Sequence, residues 1–207
     1  MSRKKSTDLE QTKQILLEVG LSLFEKKGFN ATGIQEIATL AQIPKGSFYN
    51  YFASKDDFGV AVIHYYTELN THRLTEMLTL ANQKEDAYYA LDTAFLAITE
   101  KYRCASVKKG CLLGNLAGEI SEASEPCRLA LQEAVILYKN ILAERIFLGQ
   151  KSDKIRSDLP APLLADLIWD CWQGSLLRMK IENSVDPITH NLDLLFQHFL
   201  VPTVAIK

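Results

Sequence analysis

This sequence has no CxxC pair, no stretch of about 18 apolar residues and no run of strict apolar–polar alternation. The first absence, with no cysteine–histidine cluster at ligand spacing, removes the common metal-site signatures. His64, His72, His190 and His198 form no recognisable ligand set either. The second argues against a membrane span. The apolar run Ile15-Leu16-Leu17 is broken at once by Glu18, so a secretion leader is not expected. The third leaves no convincing strand. Internal repeats, low-complexity tracts, a glycine-rich phosphate cradle and a GxSxG nucleophile motif are missing too. No metal or cofactor is therefore expected. Without a secretion signal, Cys104, Cys111, Cys127 and Cys171 read as reduced thiols of a cytoplasmic protein.

Excess charge is also lacking. The net formal charge is −2, so the chain as a whole is not built to hold a polyanion. The distribution is uneven. Arg3-Lys4-Lys5 opens the chain with three cations, and residues 1–57 carry eight Lys/Arg against seven Asp/Glu. The remainder is net acidic. A basic head on an acidic body suits nucleic-acid binding.

What is present is helix signal. With 47% hydrophobic residues in a 207-residue chain, a sizeable core is available. Thr7-x-x-Glu10 reads as a capping box, with Ile15, Leu16, Val19, Leu23 and Phe24 as the buried face behind it and Gly28 as the stop. Thr32-x-x-Gln35 is a second box, followed by Ile34, Ile37, Ala38 and Ala41. Pro44 opens a third helix, in which Phe48, Tyr51 and Phe52 share an inner stripe. Gly46, Ser47, Tyr49 and Asn50 are left for the outer face. Three helices joined this tightly make a helix-turn-helix unit over residues 1–53.

Further helices follow. Ser54 caps one running to about Asn82, with Val60, Ile63, His64, Leu69, Leu74, Met77, Leu78 and Ala81 along it. Others span about Asp86 to Cys104, Cys111 to Ser121, Ser124 to Leu148, Pro160 to Asn183, and onward from Asp186-Pro187. The fold class is all-α: a three-helix head, then a helical ligand-binding and dimerisation body over residues 54–207.

The head's chemistry points to DNA. Thr32 offers a hydroxyl and helix-start N–H groups to a phosphate. Lys45 and Lys55 suit backbone phosphates, which supply affinity without sequence information. Ser47, Tyr49 and Asn50 are placed for base edges in a major groove, and Asn can bond adenine in bidentate fashion. Gly46 lets the main chain approach closely. Arg3, Lys4 and Lys5 suit a minor groove.

The order Leu23-Phe24-x-x-x-Gly28-Phe29-x-x-Thr32-Gly33-Ile34-x-x-Ile37-Ala38, with Pro44-Lys45-Gly46-Ser47-Phe48-Tyr49-Asn50-Tyr51-Phe52-x-Ser54-Lys55, resembles the TetR family of bacterial one-component regulators. That resemblance implies nine or ten helices, a small-molecule effector, a homodimer and a palindromic duplex operator. It also implies a phosphate role for Tyr51, which the helical wheel alone turns towards the core.

In the body, Cys111 follows Lys108-Lys109-Gly110 at a helix start. Both settings favour thiolate over thiol. Gly114, Asn115 and Gly118 fall at i+3, i+4 and i+7 and leave a small polar face; the bland alternative is a small cysteine filling a helix contact. The segment Gly110–Glu119 is similar to a branch of the family with NemR-like and AcuR-like regulators, which implies response to electrophiles, oxidants or small unsaturated compounds. Lys180, set in an apolar helix, is a second candidate nucleophile if desolvated. Trp169, Trp172 and Gln173 are candidate pocket walls.

The leading reading is a homodimeric repressor that releases DNA when Cys111 is modified. Its dimer surface is expected in Trp169–Met179 and Leu192–Leu200, with Gly174-Ser175 allowing close helix approach. The rivals are a repressor binding a hydrophobic ligand reversibly, and a thiol-dependent enzyme with an incidental head. The enzyme reading lacks any Cys–His pair at recognisable spacing.

Overall fold

The computed structural model describes residues 2–81 and 86–202, with side chains from Leu9 onward. Its order is α1 (Ser2–Lys27), α2 (Ile34–Leu40), α3 (Lys45–Phe48), α4 (Lys55–Ala81) and α5 (Ala87–Cys104), followed by α6 (Leu112–Ile120), α7 (Glu125–Lys151), α8 (Ala161–Glu182) and α9 (Asp186–Leu194). A π-helical turn, Leu195–Phe199, completes it. The described residues contain no strand, and no described helix is long and apolar enough to cross a membrane.

Side-chain caps set several of these boundaries. The Ser54 hydroxyl accepts from Asp57 N at 3.0 Å, and the Asp57 carboxylate accepts from Ala53 N at 2.9 Å, which satisfies two amides at the start of α4. The Asp86 carboxylate accepts from Tyr89 N at 3.0 Å and starts α5. Pro160 precedes α8 with its fixed φ of −62°. Gly28 (φ +82°) ends α1 and Asn183 (φ +50°) ends α8, both in the left-handed region typical of helix stops.

Two expected starts are corrected. α1 begins at Ser2, ahead of Thr7-x-x-Glu10, so that pair lies inside the helix rather than at its cap. No breaker stands in residues 2–6 to stop the helix propagating backwards. At α2 the cap is Gly33, without a side-chain hydrogen bond, and Thr32 lies one residue outside.

The chain forms two compact units. The first joins the residues up to Leu69 with Leu112–Ala134. It holds α1–α3, the first part of α4, α6 and the start of α7. Its core is a group of five phenylalanines. The Phe58 ring lies 5.9, 5.3 and 4.9 Å from those of Phe24, Phe48 and Phe52, and Phe24 lies 5.4 Å from Phe29. Tilted and edge-on pairs at these separations add about 0.5–1.5 kcal/mol each beyond burial. Gly20 of α1 faces the same group, where a Cβ would come within 2.3 Å of the Phe58 ring. Only glycine admits α4 so close to α1.

The second unit joins Asn70–Cys111 with the residues from Val135 on. Ala90, Leu91, Ala94 and Phe95 of α5 are buried, as are Tyr138, Leu142 and Ile146 of α7 and Leu164, Ala165, Ile168, Leu176 and Met179 of α8. Asn191 of α9 donates to Ser175 Oγ at 2.6 Å, and that hydroxyl donates to Cys171 O at 2.6 Å, linking α9 to α8.

Helical phase accounts for the expected core residues that are not in it. Ile15 is 45% exposed although its neighbour Leu16 is fully buried. On α4 the buried row is Phe58, Val62, Leu74 and Leu78, joined by Ile63, Thr67 and Thr71; Val60, Leu69 and Met77 are half-buried and His64 is exposed.

Phe58 is 0% exposed and meets rings from α1, α3 and the turn after α3. Phe58→Ala should cost about 3–5 kcal/mol, read as a lower urea midpoint.

Candidate nucleic-acid interface and effector site

The α2–α3 turn is formed by Ala41–Pro44, with Gln42 at φ +58°. α3 proper is only four residues long. Its helical path continues as tight turns, with Asn50 N donating to Ser47 O and Phe52 N to Phe48 O. Phe48 and Phe52 point inward and are buried. Lys45, Gly46, Tyr49 and Asn50 are exposed and Ser47 is half-buried. Those five residues therefore form one outward surface. A Cβ on Gly46 would meet nothing within 4 Å, so its main chain is open to a close-lying ligand.

The other expected head contacts are distributed differently. Tyr51 is half-buried, so it is not a core residue like Phe48. Arg3, Lys4 and Lys5 lie in the first turns of α1, and their side chains fall outside the described residues. Thr32 is a correction. It is 1% exposed, and its hydroxyl donates to Gly28 O at 2.7 Å. It closes the α1–α2 turn from inside and does not offer that hydroxyl to a phosphate. Gly33, which the sequence reading passed over as a contact, is exposed in its place, with open space around its Cβ position.

Lys55 is half-buried. Its ammonium lies 4.3 Å from the centroid of the Phe29 ring and donates to Asn30 O at 3.5 Å. Burial lowers its pKa, and the Glu119 and Asp56 carboxylates pull the other way. It is a brace on the α1–α2 turn rather than a solvated surface lysine. Lys27 at the end of α1 pairs with Glu36 on α2, fixing the two helices from another side.

The effector-side candidates separate as well. Cys111 is half-buried and stands immediately before α6, after Gly110 at φ +74°. Lys108 does not reach towards it. Its ammonium donates to Tyr102 O at 2.6 Å, Ala105 O at 2.8 Å and Arg103 O at 3.1 Å, closing the end of α5. Tyr102 OH donates to Gly110 O at 3.3 Å. Burial drives the Tyr138 phenol well above its ordinary pKa, and the ionisable Cys111 and Tyr102 groups beside it push the same way. Tyr138 therefore stays protonated near the Cys111 thiol.

Aromatic rings extend this wall. Tyr138 stacks on Trp169 at 5.1 Å. Trp172 meets Phe95 edge-on at 5.1 Å and Tyr102 at 6.3 Å. Gln173 follows Trp169 by one helical turn, and its Nε2 is buried with no hydrogen-bond partner among the described residues. Asn115 is half-buried on α6. Lys180 is a second correction. It is exposed near the end of α8, so the desolvation that would make it a nucleophile is absent. Sequence reasoning missed Tyr138, Tyr102 and Phe95, because aromatics at helical spacing carry no mark that separates a pocket wall from core.

A short helix-turn-helix with an exposed second-helix face, in a chain with a separate helical body, defines a DNA-binding regulator. Residues 16–62 match the model of bacterial regulatory proteins of the tetR family, and residues 89–195 match the tetracyclin repressor-like C-terminal domain. The chain belongs to the TetR family of transcriptional regulators. It is 34% identical to the HTH-type transcriptional repressor DhaR of Mycobacterium sp. strain GP1, over 94% of this chain and 96% of that protein. It is 30% identical to the transcriptional regulator AcuR of Cereibacter sphaeroides, over 95% and 89%. The HTH-type transcriptional repressor NemR of Escherichia coli K12 is 30% identical over 87% and 90%. A crystal structure of reduced E. coli NemR superposes with TM-score 0.80 at 28% identity, covering 93% of this chain and all of that one.

Two substitutions test the outward surface. Gly46→Ala adds a methyl in open space on a helix, so stability should hold or rise by up to about 1 kcal/mol, yet operator affinity should fall. Lys45→Ala should weaken all sequences alike and reduce the slope of log affinity against log salt by about one. Thermal melts and fluorescence anisotropy check both.

Proposed function

We propose that the protein is a homodimeric repressor that releases a palindromic operator when an electrophile or oxidant modifies Cys111. The reading head occupies residues 1–53 and the sensing and dimerisation body residues 54–207. The repressor sense follows the names of DhaR and NemR. The observation that carries the sensor is the place of Cys111, half-buried beside the protonated Tyr138 and directly ahead of α6. A neighbouring structure distinguished by its reduced state supports a thiol-responsive reading.

The chemistry is a conjugate addition for an electrophile such as a quinone. The Cys111 sulfur bonds to the electron-poor ring carbon. The ring C=C π pair shifts through the conjugated system onto the quinone oxygen, and the thiol proton ends there. Tyr138 is a donor for the oxygen that gains charge. Gln173 Nε2 supports the second reading, a reversibly held flat ligand with an acceptor atom, because a buried donor without a partner costs about 1–3 kcal/mol that a ligand oxygen would recover.

Dimerisation is supported by exposed apolar side chains along α8. Leu163, Leu177 and Ile181 are exposed, the last by 73%, and Gly174 lies between them with open space. Trp169, Leu176, Met179, Leu192, Leu195, Phe196 and Leu200, expected at the interface, are already buried within the chain, whereas Leu194 is 60% exposed. Ser175 likewise faces α9 rather than a second copy. Leu163-x-x-x-x-x-x-Asp170-x-x-x-Gly174-x-x-Leu177-x-x-x-Ile181 keeps near-heptad spacing, which suits an antiparallel or crossed helix pair across a two-fold axis.

Cys111→Ser should bind operator as the parent does and stay bound after 1,4-benzoquinone. Release of that variant would refute the thiol reading and leave the reversible-ligand one. Peptide mass spectrometry should place the adduct on Cys111 in parallel with release. Ile181→Glu with Leu177→Glu should give a monomer by light scattering, with operator affinity reduced at least about 100-fold, since two half-sites are then no longer bound together.

A further inference from the structure

Glu119 belongs to neither surface described above. It lies in the last turn of α6, where the helix dipole disfavours a carboxylate. A partner has to offset that, and the turn after α1 supplies one. Glu119 Oε2 accepts from Phe29 N at 3.0 Å and Oε1 accepts from Asn30 N at 2.5 Å. The Asn30 side chain, through Nδ2, donates back to Glu119 O at 3.4 Å. Hydrogen bonds to an ionised acceptor are roughly twice as strong as neutral ones. The fit is close. A Cβ at Gly28 would stand 2.4 Å from Glu119 Oε2, so the turn needs glycine both for its positive φ and for the carboxylate. Lys55 braces the far side through Asn30 O and the Phe29 ring. Thr32, two residues on from Asn30, ties the turn back to Gly28 O at 2.7 Å just before α2 begins.

We propose that Glu119 is the positioning residue that ties α6 to the DNA-reading head. Through its hold on the Phe29 and Asn30 amides, a displacement of α6 is delivered to the turn from which α2 starts, and α2 carries α3. α6 is a single nine-residue rod with Cys111 just ahead of its first residue and Glu119 in its last turn. The inference rests on the proposed sensing role of Cys111 and takes α6, which begins directly after it, as the element that answers events there. It adds the residue at which that answer enters the head.

Glu119→Gln tests it with little change of volume. One acceptor oxygen is kept, and the other becomes an NH2 group facing a backbone N–H. The full-length protein is used, on a DNA fragment carrying its own promoter. In the parent, the ratio of operator Kd with and without 1,4-benzoquinone should fall in the range of about 5–150 common for coupled sites. In Glu119→Gln it should drop to within about twofold of one, with a somewhat lower melting temperature and unmodified binding near the parental value. A purely structural role would weaken both states alike and leave the ratio unchanged, which would overturn the proposal. Hydrogen exchange gives an arm free of thiol chemistry. Operator binding should alter protection of the α6 amides in the parent and leave them unaltered in operator-bound Glu119→Gln. An equal response in both, or none in the parent, also overturns it. If benzoquinone leaves the parent on DNA, the thiol reading fails and the exchange arm alone decides Glu119.

Discussion

The contact on which the head depends is the seat of Phe58. It belongs to the first turn of α4, yet it fills the space between Phe24, Phe48 and Phe52. The three head helices are short except for α1, and α3 has only four residues. A helix of that length has no stability of its own, since nucleation is unfavourable and few hydrogen bonds repay it. α3 exists because Phe48 and Phe52 are held by Phe58. The outward direction of Tyr49 and Asn50 follows from that inward anchoring. Gly20 sets how near α4 approaches α1, so one missing Cβ and one ring together fix the plane from which DNA is read.

The first turn of α4 therefore serves three purposes within a few residues. Ser54 and Asp57 cap it, Phe58 packs it, and Lys55 braces the α1–α2 turn from it. Asp56 adds a fourth link, accepting from Ser124 Oγ at 2.9 Å at the start of α7. Cys127 one turn further on is buried against Asp56 O at 3.6 Å, and burial raises its thiol pKa. That thiol fills space in the packed interior. Head and α6–α7 segment are thus joined by polar bonds, from Glu119 to the α1–α2 turn and from Ser124 and Cys127 to Asp56.

Much of this was legible in the sequence where the signal is local. Ser54, Asp86, Gly28 and the prolines marked helix ends because caps and breakers act within one turn. The inner stripe of Phe48 and Phe52 was legible for the same reason. Thr32 was misread because a capping box and a buried hydroxyl on an i−4 carbonyl share the same residues. Only Gly33 occupying the cap distinguishes them, and that depends on the turn's three-dimensional path. That Lys55 also braces the α1–α2 turn was not legible, because sequence cannot show that Glu119, far along the chain, closes the same corner. The Glu119 clamp and the Tyr138–Cys111 pairing are both long-range in sequence and have no periodic mark. Lys180 fell for a simpler reason: an apolar helix still has an outer face.

The four thiols show why reactivity and regulation need not coincide. Cys104 is the exposed one, at the last residue of α5, so a dissolved reagent reaches it readily. Bulk added there projects into solvent. Lys108 already satisfies three carbonyls at that helix end and does not depend on the Cys104 side chain. Cys111 is harder to reach, with Tyr138 and Tyr102 beside it. Protein interiors are close-packed, so atoms added at a half-buried site must move something. What adjoins Cys111 is an aromatic wall on one side and the first residue of α6 on the other. Bulk added in a packed corner is thus better placed to signal than bulk added in water. On the proposed reading, the measure of sensing is the mass gained at Cys111, not the mass gained by the protein.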